Sequence, residues 1–199
     1  MQRFAHVIVG ACSAGCVVAA RLSESGRHSV CLLEAGGPDD SFWIHAPLGY
    51  GMLYGSERYN WFFHGEPEAE LNGSVSYQPR GKTLGGTSSI NGMVYMRGQR
   101  EDFDHWRDLG NPGWGYADVL PYFRQAEDND RGENEFRARG GPVGLTTLEG
   151  NELAEAFVQA GVQAGHARNP DFNAGSQAGF GYQQVSIRNG RRCSTATEI

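Results

Sequence analysis

The sequence is poor in lysine, in long apolar runs and in closely paired cysteines. Lysine occurs once among the 199 residues and the formal net charge is −6, so no basic patch is available and we expect no nucleic-acid partner. No apolar run is long enough to cross a bilayer, and we therefore expect no membrane span. The cysteines show no CxxC spacing and no neighbouring histidine cluster, which predicts unpaired thiols and no metal site.

The N-terminal stretch also lacks the long apolar core and the small-residue cleavage site of a signal peptide. We therefore expect a cytoplasmic protein, with a peripheral place at the inner membrane as the alternative. Glycine, in contrast, is abundant, at 29 residues. These glycines follow no period and are spread among aromatic and aliphatic residues, which indicates loops wrapped around a ligand rather than disorder.

The first forty residues have the order strand, glycine turn, helix, strand, acid. Residues 7–9 are β-branched and suit a buried parallel strand, and residues 10–15 form a glycine-containing turn. Small and apolar residues at helical spacing follow through Leu22, and Ser25-Gly26 ends the helix. A second apolar strand at 29–33 ends in Glu34. This order is that of a dinucleotide-binding βαβ unit.

The chemistry of such a unit is specific. The helix N-terminus offers free N–H groups and a partial positive charge to a pyrophosphate. Glu34 can accept hydrogen bonds from ribose hydroxyls, and an acid here favours an unphosphorylated ribose, hence FAD or NAD over NADP. The alternative is a βαβ unit that binds nothing.

A second glycine-rich stretch spans residues 80–92 and holds four glycines, two cations, several hydroxyls and Asn91. Glycine lets a backbone come close to a ligand, and the hydroxyls and Asn91 can hydrogen-bond the polar edge of a cofactor. Alone, the stretch could be any anion-binding loop. A long aromatic-rich extension precedes it, where a nicotinamide dehydrogenase would continue with another βα unit, and this favours a flavoprotein.

Together these stretches resemble the N-terminal part of the glucose–methanol–choline (GMC) oxidoreductase family, especially its alcohol dehydrogenase and choline dehydrogenase-like members. The resemblance covers nearly the whole chain, and the block 81–104 fits the family's first signature, which is far more specific than the glycine turn. The stretches that carry it are VIVGACSAGCVVAARLSE, LLEAGGPD, RYNWFF, YQPRGKTLGGTSSINGMVYMRGQREDFDHW, NPGWGYADVLPYF and GFGYQQVSIRNGRRCSTA.

The resemblance implies an α/β fold. Residues 1–150 would form a Rossmann-like FAD-binding βαβ domain with extended loops and an insertion at 36–80, and residues 151–199 the incomplete beginning of a substrate domain, in a chain truncated relative to the family. It also implies non-covalent FAD, because the histidine that carries the flavin in some members is Ile90 here. The cofactor-binding residues that it implies are Gly10, Cys12, Ser13, Ala14, Gly15, Glu34, Ala35, Trp61, Arg80, Gly86, Thr87, Asn91, Gly92, Met93 and Val94.

For the full-length protein, the resemblance implies oxidation of a small-molecule alcohol to an aldehyde by hydride transfer to FAD, with oxygen, a quinone or another carrier as electron acceptor. The family's catalytic histidine lies near its C-terminus, so we expect no catalytic residue in this chain. Two alternatives stay open: a FAD-binding fragment that is inactive without its C-terminal part, and a non-redox member such as a hydroxynitrile lyase. Exposed sheet edges and apolar surface in a truncated sheet would favour oligomers.

Some side chains keep two interpretations. The tryptophans, Trp61 included, suit a core better than a cofactor contact. Arg80 and Lys82 could pair with a cofactor phosphate or with surface acids such as Glu101 and Asp102. The histidines show no spacing to a partner that would make one of them a base, and we interpret them as structural or surface residues.

The second half of the sequence predicts further elements. They are a helix at 118–128 with Pro121 in its first turn, a solvated charged loop at 127–141, a strand at 141–147, a helix capped by Asn151 and ended by Gly165, and a strand at 182–187. The Asn151 helix would carry one apolar face, formed by Leu153, Ala156, Phe157, Ala160 and Ala164.

The middle glycine of the G-x-G-x-x-G pattern, which allows close approach of a pyrophosphate, is Cys12 in this chain. The Cβ of Cys12 would point into crowded space, so we predict that Cys12→Gly tightens cofactor binding. A titration of both proteins with FAD measures the effect, and an unchanged affinity would show that the site tolerates Cys12.

Overall fold

The computed structural model describes residues 2–199. The strands, in chain order, are β1 His6–Val9, β2 Val30–Leu33, β3 Phe63–Glu68, β4 Ser74–Gln78, β5 Val94–Tyr95, β6 Glu127–Asn129, β7 Val143–Thr147, β8 Gln184–Val185, β9 Ile187–Arg188 and β10 Arg191–Arg192. The helices are α1 Ser13–Ser23, α2 Phe42–His45, α3 Tyr50–Tyr54, α4 Arg100–Asp108, α5 Tyr116–Ala126, α6 Glu152–Gln163 and α7 Thr195–Glu198. Three short 3-10 turns lie at Pro47–Gly49, Ala69–Leu71 and Gly86–Ser89.

The chain forms two compact units. The first comprises the residues up to Met93 together with Asn189–Ile199, and the second comprises Val94–Arg188. These units do not coincide with the division at residue 150 that we expect from the resemblance. That division concerns which ligand each part binds, and it stays a prediction.

The first unit contains the predicted βαβ arrangement. Strands β1 and β2 pair in parallel, with His6 opposite Val30 and Val9 opposite Leu33, and α1 connects them. The helix ends at Ser23, and Gly26 follows with a φ of +67°, in agreement with the predicted stop. The α/β class and the strand–helix–strand order are therefore confirmed.

The segment 36–80, in which the sequence showed few regular patterns, contains two short helices and an antiparallel hairpin of β3 and β4. Every residue of β3 is exposed. Because neither face of the strand is buried, its sequence does not show the alternation of apolar and polar residues that would predict a strand. The core of the unit lies beside this hairpin and consists of Ile44, Leu53, Tyr59 and Ile90, with Tyr54 packed against them.

The second unit is built on a four-stranded sheet of order β5-β8-β7-β6. Strands β6 and β7 are parallel, and β8 pairs antiparallel with both β5 and β7. Helix α6 begins as predicted, because the Asn151 side chain accepts a hydrogen bond from the N–H of Ala154. Its predicted apolar face is exposed, however, with Leu153 at 81% and Phe157 at 68%, and the buried residues of the helix are Val158 and Gly161.

Two further predictions for the second unit are wrong. Helix α5 begins at Tyr116 rather than at Asp118, because Asp118 accepts a hydrogen bond from the N–H of Gly115 and so caps an earlier start. Pro121 therefore lies inside the helix and not in its first turn.

The predicted solvated loop at 127–141 begins instead with the buried strand β6, in which Glu127 is 0% and Asn129 2% exposed. Glu127 is buried because it is paired. Its Oε2 lies 2.8 Å from Arg97 Nη2, and its Oε1 accepts a hydrogen bond from the N–H of Ala138 at 2.8 Å. Burial lowers the pKa of Arg97, but Tyr95 and Glu127 outweigh it and raise the pKa above its ordinary value.

Over residues 2–199, no helix is both long and apolar enough to cross a membrane. Within the same range, no three histidine, cysteine or acidic side chains are grouped so that they could hold a metal ion. All four cysteines are free thiols.

The Arg97–Glu127 pair should support the folded state of the second unit. We expect Glu127→Gln to destabilise the protein by about 3–5 kcal/mol, because it leaves a buried guanidinium without its counter-charge. Urea unfolding measures this loss. The control is Glu24→Gln, since Glu24 belongs to an exposed pair with Arg21 and should contribute little. Equal stability of the two variants would contradict the assignment.

Candidate functional site

The glycine turn after β1 brings the start of α1 against the end of the strand. Gly10 has a φ of +92°, a conformation that side chains other than glycine rarely adopt, and its N–H donates to Leu33 O at 2.7 Å. A Cβ on Gly15 would lie 1.9 Å from Gly10 O, a distance that no real contact permits. The turn and the helix can therefore approach this closely only with glycine at position 15.

The N-terminus of α1 is an anion-binding feature. Cys12 is the N-cap residue of α1. Among the described residues, its side chain makes no capping hydrogen bond, and the first turn of the helix contains no acidic residue. The first N–H groups of a helix have no acceptor within the helix, and here they belong to Ser13, Ala14 and Gly15. They carry the partial positive charge of the helix dipole, which suits a pyrophosphate.

Glu34 lies directly after β2 and links the two turns of the βαβ unit. Its Oε2 accepts a hydrogen bond from the N–H of Ala11, and its Oε1 accepts one from the N–H of Gly36, both at 2.8 Å. A carboxylate has about four acceptor positions, so the half-buried Glu34 keeps acceptor capacity for the hydroxyls of a ribose.

The stretch 80–92 lies against the end of the βαβ unit. The N–H of Leu84 and the hydroxyl of Thr83 both donate to Gly37 O at 3.0 Å. A Cβ on Gly36 would lie 2.1 Å from the backbone of Lys82. The two segments are thus in backbone contact, an arrangement that the linear sequence did not indicate.

Cys12 joins the glycine turn to the same stretch. Its Sγ accepts a hydrogen bond from the N–H of Thr87 at 3.4 Å, and a Cβ on Gly86 would lie 2.5 Å from that sulfur. The crowding expected at Cys12 is therefore relieved by the missing side chain of Gly86. Because Cys12→Gly would also remove the bond from Thr87, its effect on cofactor binding stays a prediction.

The hydroxyls of the stretch serve mostly the loop itself. Ser88 donates to Gly85 O at 2.6 Å, and Ser89, fully buried, donates to Leu84 O at 2.7 Å. The tight turn already uses the protons of these two hydroxyls, and our interpretation of the serines as ligands of a cofactor edge stays a prediction. Thr87 Oγ1 accepts a hydrogen bond from the N–H of Gly81 and keeps its own proton to donate.

Asn91 orders the end of the loop together with a residue that the sequence did not single out. Asn91 Oδ1 accepts from the N–H of Met93 at 3.0 Å and from Arg192 Nη1 at 2.9 Å. Met93 is buried and has a φ of +62°, a strained conformation that often marks functional sites. Arg192 belongs to the stretch GRRCSTA, but its burial depends on packing that no local pattern indicates.

The remaining predicted residues take no part in the contacts described above between the glycine turn, Glu34 and the loop 80–92. Trp61 is 41% exposed and stacks on Phe63, and the Lys82 ammonium lies 4.8 Å from its ring centre. Arg80 Nη1 donates to Pro79 O, which leaves its predicted partner undecided. Ala35 is exposed. Gly92 is half-buried, and a Cβ added to it would meet no atom within 4 Å. Val94 begins β5 and belongs to the second unit.

The chain is similar in sequence and in fold to known proteins. The sequence profile described as GMC oxidoreductase matches residues 4–199. The chain is 49% identical over 200 residues to the oxygen-dependent choline dehydrogenase of Vibrio vulnificus (strain YJ016), a match that covers 98% of this chain and 35% of that protein. The chain thus spans about a third of the length of the curated relatives it matches.

Two solved structures superpose closely. The crystal structure of pyridoxine 4-oxidase from Mesorbium loti matches with a TM-score of 0.92 and 36% identity, over 97% of this chain and 38% of that one. A FAD-dependent oxidoreductase from Chaetomium thermophilum matches with a TM-score of 0.88 and 28% identity, over 99% of this chain and 36% of that one.

The close approach at Gly15 gives a direct test of the site. We expect Gly15→Ala to weaken FAD binding at least about tenfold, which corresponds to about 1.4 kcal/mol, because the added methyl must displace the turn. Quenching of flavin fluorescence during a titration measures the affinity. Gly51→Ala is the matched control, since a Cβ on Gly51 would meet nothing within 4 Å. Equal affinities of the two variants would contradict the assigned role of the turn.

Proposed function

The chain belongs to the GMC oxidoreductase family, and from this premise we propose that it is the FAD-binding part of an enzyme that oxidises an alcohol to an aldehyde. The observation that supports this most directly is the meeting of three segments. The glycine turn 10–15, the end of β2 at 34–37 and the loop 80–92 come into backbone contact. FAD has a pyrophosphate, a ribose and a flavin ring to be held by such segments.

The residues present fit this cofactor. The N–H groups of Ser13 and Ala14 hold the pyrophosphate, because they lie at the first turn of α1 and have no acceptor within the helix. Glu34 accepts the hydroxyls of the adenosine ribose while it keeps its two backbone bonds. An acidic residue at this point disfavours a phosphorylated ribose, so FAD fits and NADP does not.

The loop from Gly86 to Met93 lines the flavin through its backbone and through the side chain of Asn91. Ile90 within it is fully buried in the core cluster with Ile44 and Leu53, and it offers no nucleophile. FAD is therefore held without a covalent bond.

When bound, FAD supplies the hydride acceptor for the alcohol carbon. This chain's residues bind and orient the cofactor. We assign the role of the base to none of its histidines, because among residues 2–199 no hydrogen bond or ring contact joins a histidine to Glu34 or to the loop 80–92. The whole reaction therefore needs a proton acceptor and alcohol-binding groups from outside these residues.

The names of two relatives guide the choice of alcohol. Choline dehydrogenase and pyridoxine 4-oxidase make choline the first alcohol to test and pyridoxine the second. Oxygen is the first electron acceptor to test, since the Vibrio relative is named oxygen-dependent, and a quinone is the next. A cytoplasmic or peripheral inner-membrane location stays a prediction.

The central test is the colour of the purified chain. We expect the 199-residue chain, incubated with FAD and freed of excess cofactor, to show flavin absorbance near 450 nm, and we expect choline to leave that absorbance unchanged. Acid precipitation should release the flavin into the supernatant, because no covalent bond holds it. A colourless chain would contradict FAD binding, and yellow colour retained in the pellet would contradict the non-covalent mode.

The full-length protein separates the enzyme from the alternatives. Under anaerobic conditions, choline or another alcohol should bleach its flavin band as the flavin is reduced. A yellow full-length protein whose band no alcohol bleaches would contradict the proposed oxidation.

A further inference from the structure

Among residues 2–199, Arg192 is a buried cation without a carboxylate partner. It is 3% exposed, and over the same residues its guanidinium donates only to neutral oxygens. Nε donates to Ile44 O at 2.7 Å, and Nη1 donates to Ser88 O at 3.1 Å and to Asn91 Oδ1 at 2.9 Å. Within the part of the chain that the structure describes, Nη2 has no hydrogen-bond partner.

Such a cation is costly to keep. A buried charge destabilises the fold unless an opposite charge and hydrogen bonds compensate it. Burial lowers the pKa of Arg192 to about 10, which reports the same penalty. By contrast, Arg97 in the second unit is buried with Glu127 as its counter-charge. The stability of the fold alone therefore does not account for a cation at position 192.

The contacts of Arg192 show what it controls. Asn91 Oδ1 accepts from Arg192 and from the N–H of Met93, so both of its acceptor positions are occupied. A rotated amide would place its N–H groups against the guanidinium, and the Asn91 orientation is thereby fixed. Its Nδ2 donor has no acceptor among residues 2–199, and the side chain is only half-buried.

We propose that Arg192 is a positioning residue for the flavin, which acts by holding Asn91 with its Nδ2 donor turned toward the bound cofactor and by holding the backbone at Met93 in its positive-φ conformation. This inference rests on the proposed FAD binding. It assigns to Arg192 an effect on cofactor affinity that is transmitted through Asn91, and not a direct contact with FAD.

The variant Asn91→Asp separates this role from a structural one. The carboxylate can still accept from Arg192 and from Met93 N–H, and it supplies the missing counter-charge, so we expect the apo chain to unfold at a higher temperature. It lacks the Nδ2 donor, however, and FAD affinity should fall about tenfold, the usual scale for one lost hydrogen bond. Unchanged affinity would contradict the contact between Nδ2 and the cofactor through which Arg192 is proposed to act.

A double-mutant cycle tests the transmission. Arg192→Met and Asn91→Ala should each weaken FAD binding, and the double variant should bind no more weakly than the weaker single one, because both remove the same oriented donor. Arg191→Met is the control, since Arg191 is an exposed neighbour, and its affinity should equal that of the wild type. Titration with FAD, with the visible circular dichroism of the flavin as a second signal, measures all of these.

The outcomes distinguish the two proposals. A wild-type chain that binds no FAD overturns the proposed function. A wild-type chain that binds FAD, with Asn91→Asp binding it equally tightly, overturns only the role of Arg192. Losses from Arg192→Met and Asn91→Ala that simply add would show that Arg192 does not act through Asn91.

Discussion

The candidate site depends on backbone segments that approach one another more closely than side chains would allow. At Gly15, Gly36 and Gly86 an added Cβ would lie 1.9 to 2.5 Å from atoms of the neighbouring segment. The glycine turn, the end of β2 and the loop 80–92 can therefore form one surface of N–H groups and carbonyls. A dinucleotide with a flat ring and two phosphates is held largely by such groups. Dense glycine in this chain is thus a packing requirement as much as a matter of turns.

Buried charge is handled differently in the two units. In the second, the buried charges of Arg97 and Glu127 lie 2.8 Å apart and compensate each other, so that neither is left without a counter-charge. In the first, Arg192 is held by carbonyl and amide oxygens alone. The burial of Arg192 without a counter-charge is the more costly arrangement, and its contacts include the loop that we assign to the flavin. The two guanidinium groups therefore differ in their partners, a carboxylate for Arg97 and neutral oxygens for Arg192.

The charged stretch 127–141 is not solvated throughout, although its composition predicts that it is. Residues 127–141 are rich in acids and arginines, and such a run is usually solvated. Glu127 is buried nonetheless, because Arg97, 30 positions earlier in the sequence, lies beside it in the fold. Helix α5 begins before the predicted Asp118, because Asp118 accepts a hydrogen bond from the N–H of Gly115. Gly115 has no side chain that would identify it as an N-cap residue in the sequence. Strand β3 escaped notice because its residues are all exposed and no alternation marks it.

The sequence by itself determined the βαβ unit, the acid at Glu34, the α/β class and the family, because glycine spacing, β-branched runs and signature motifs are local properties of the chain. Only the tertiary structure decided which groups of the loop 80–92 are available. It showed that Ser88 and Ser89 donate within the loop, that Cys12 lies against Gly86, and that Arg192 donates a hydrogen bond to Asn91. These contacts join residues that are 3 to 101 positions apart. The physical reason is that the backbone conformation of the loop and its packing against distant segments decide burial and hydrogen-bond partners, and the spacing of residue types encodes neither.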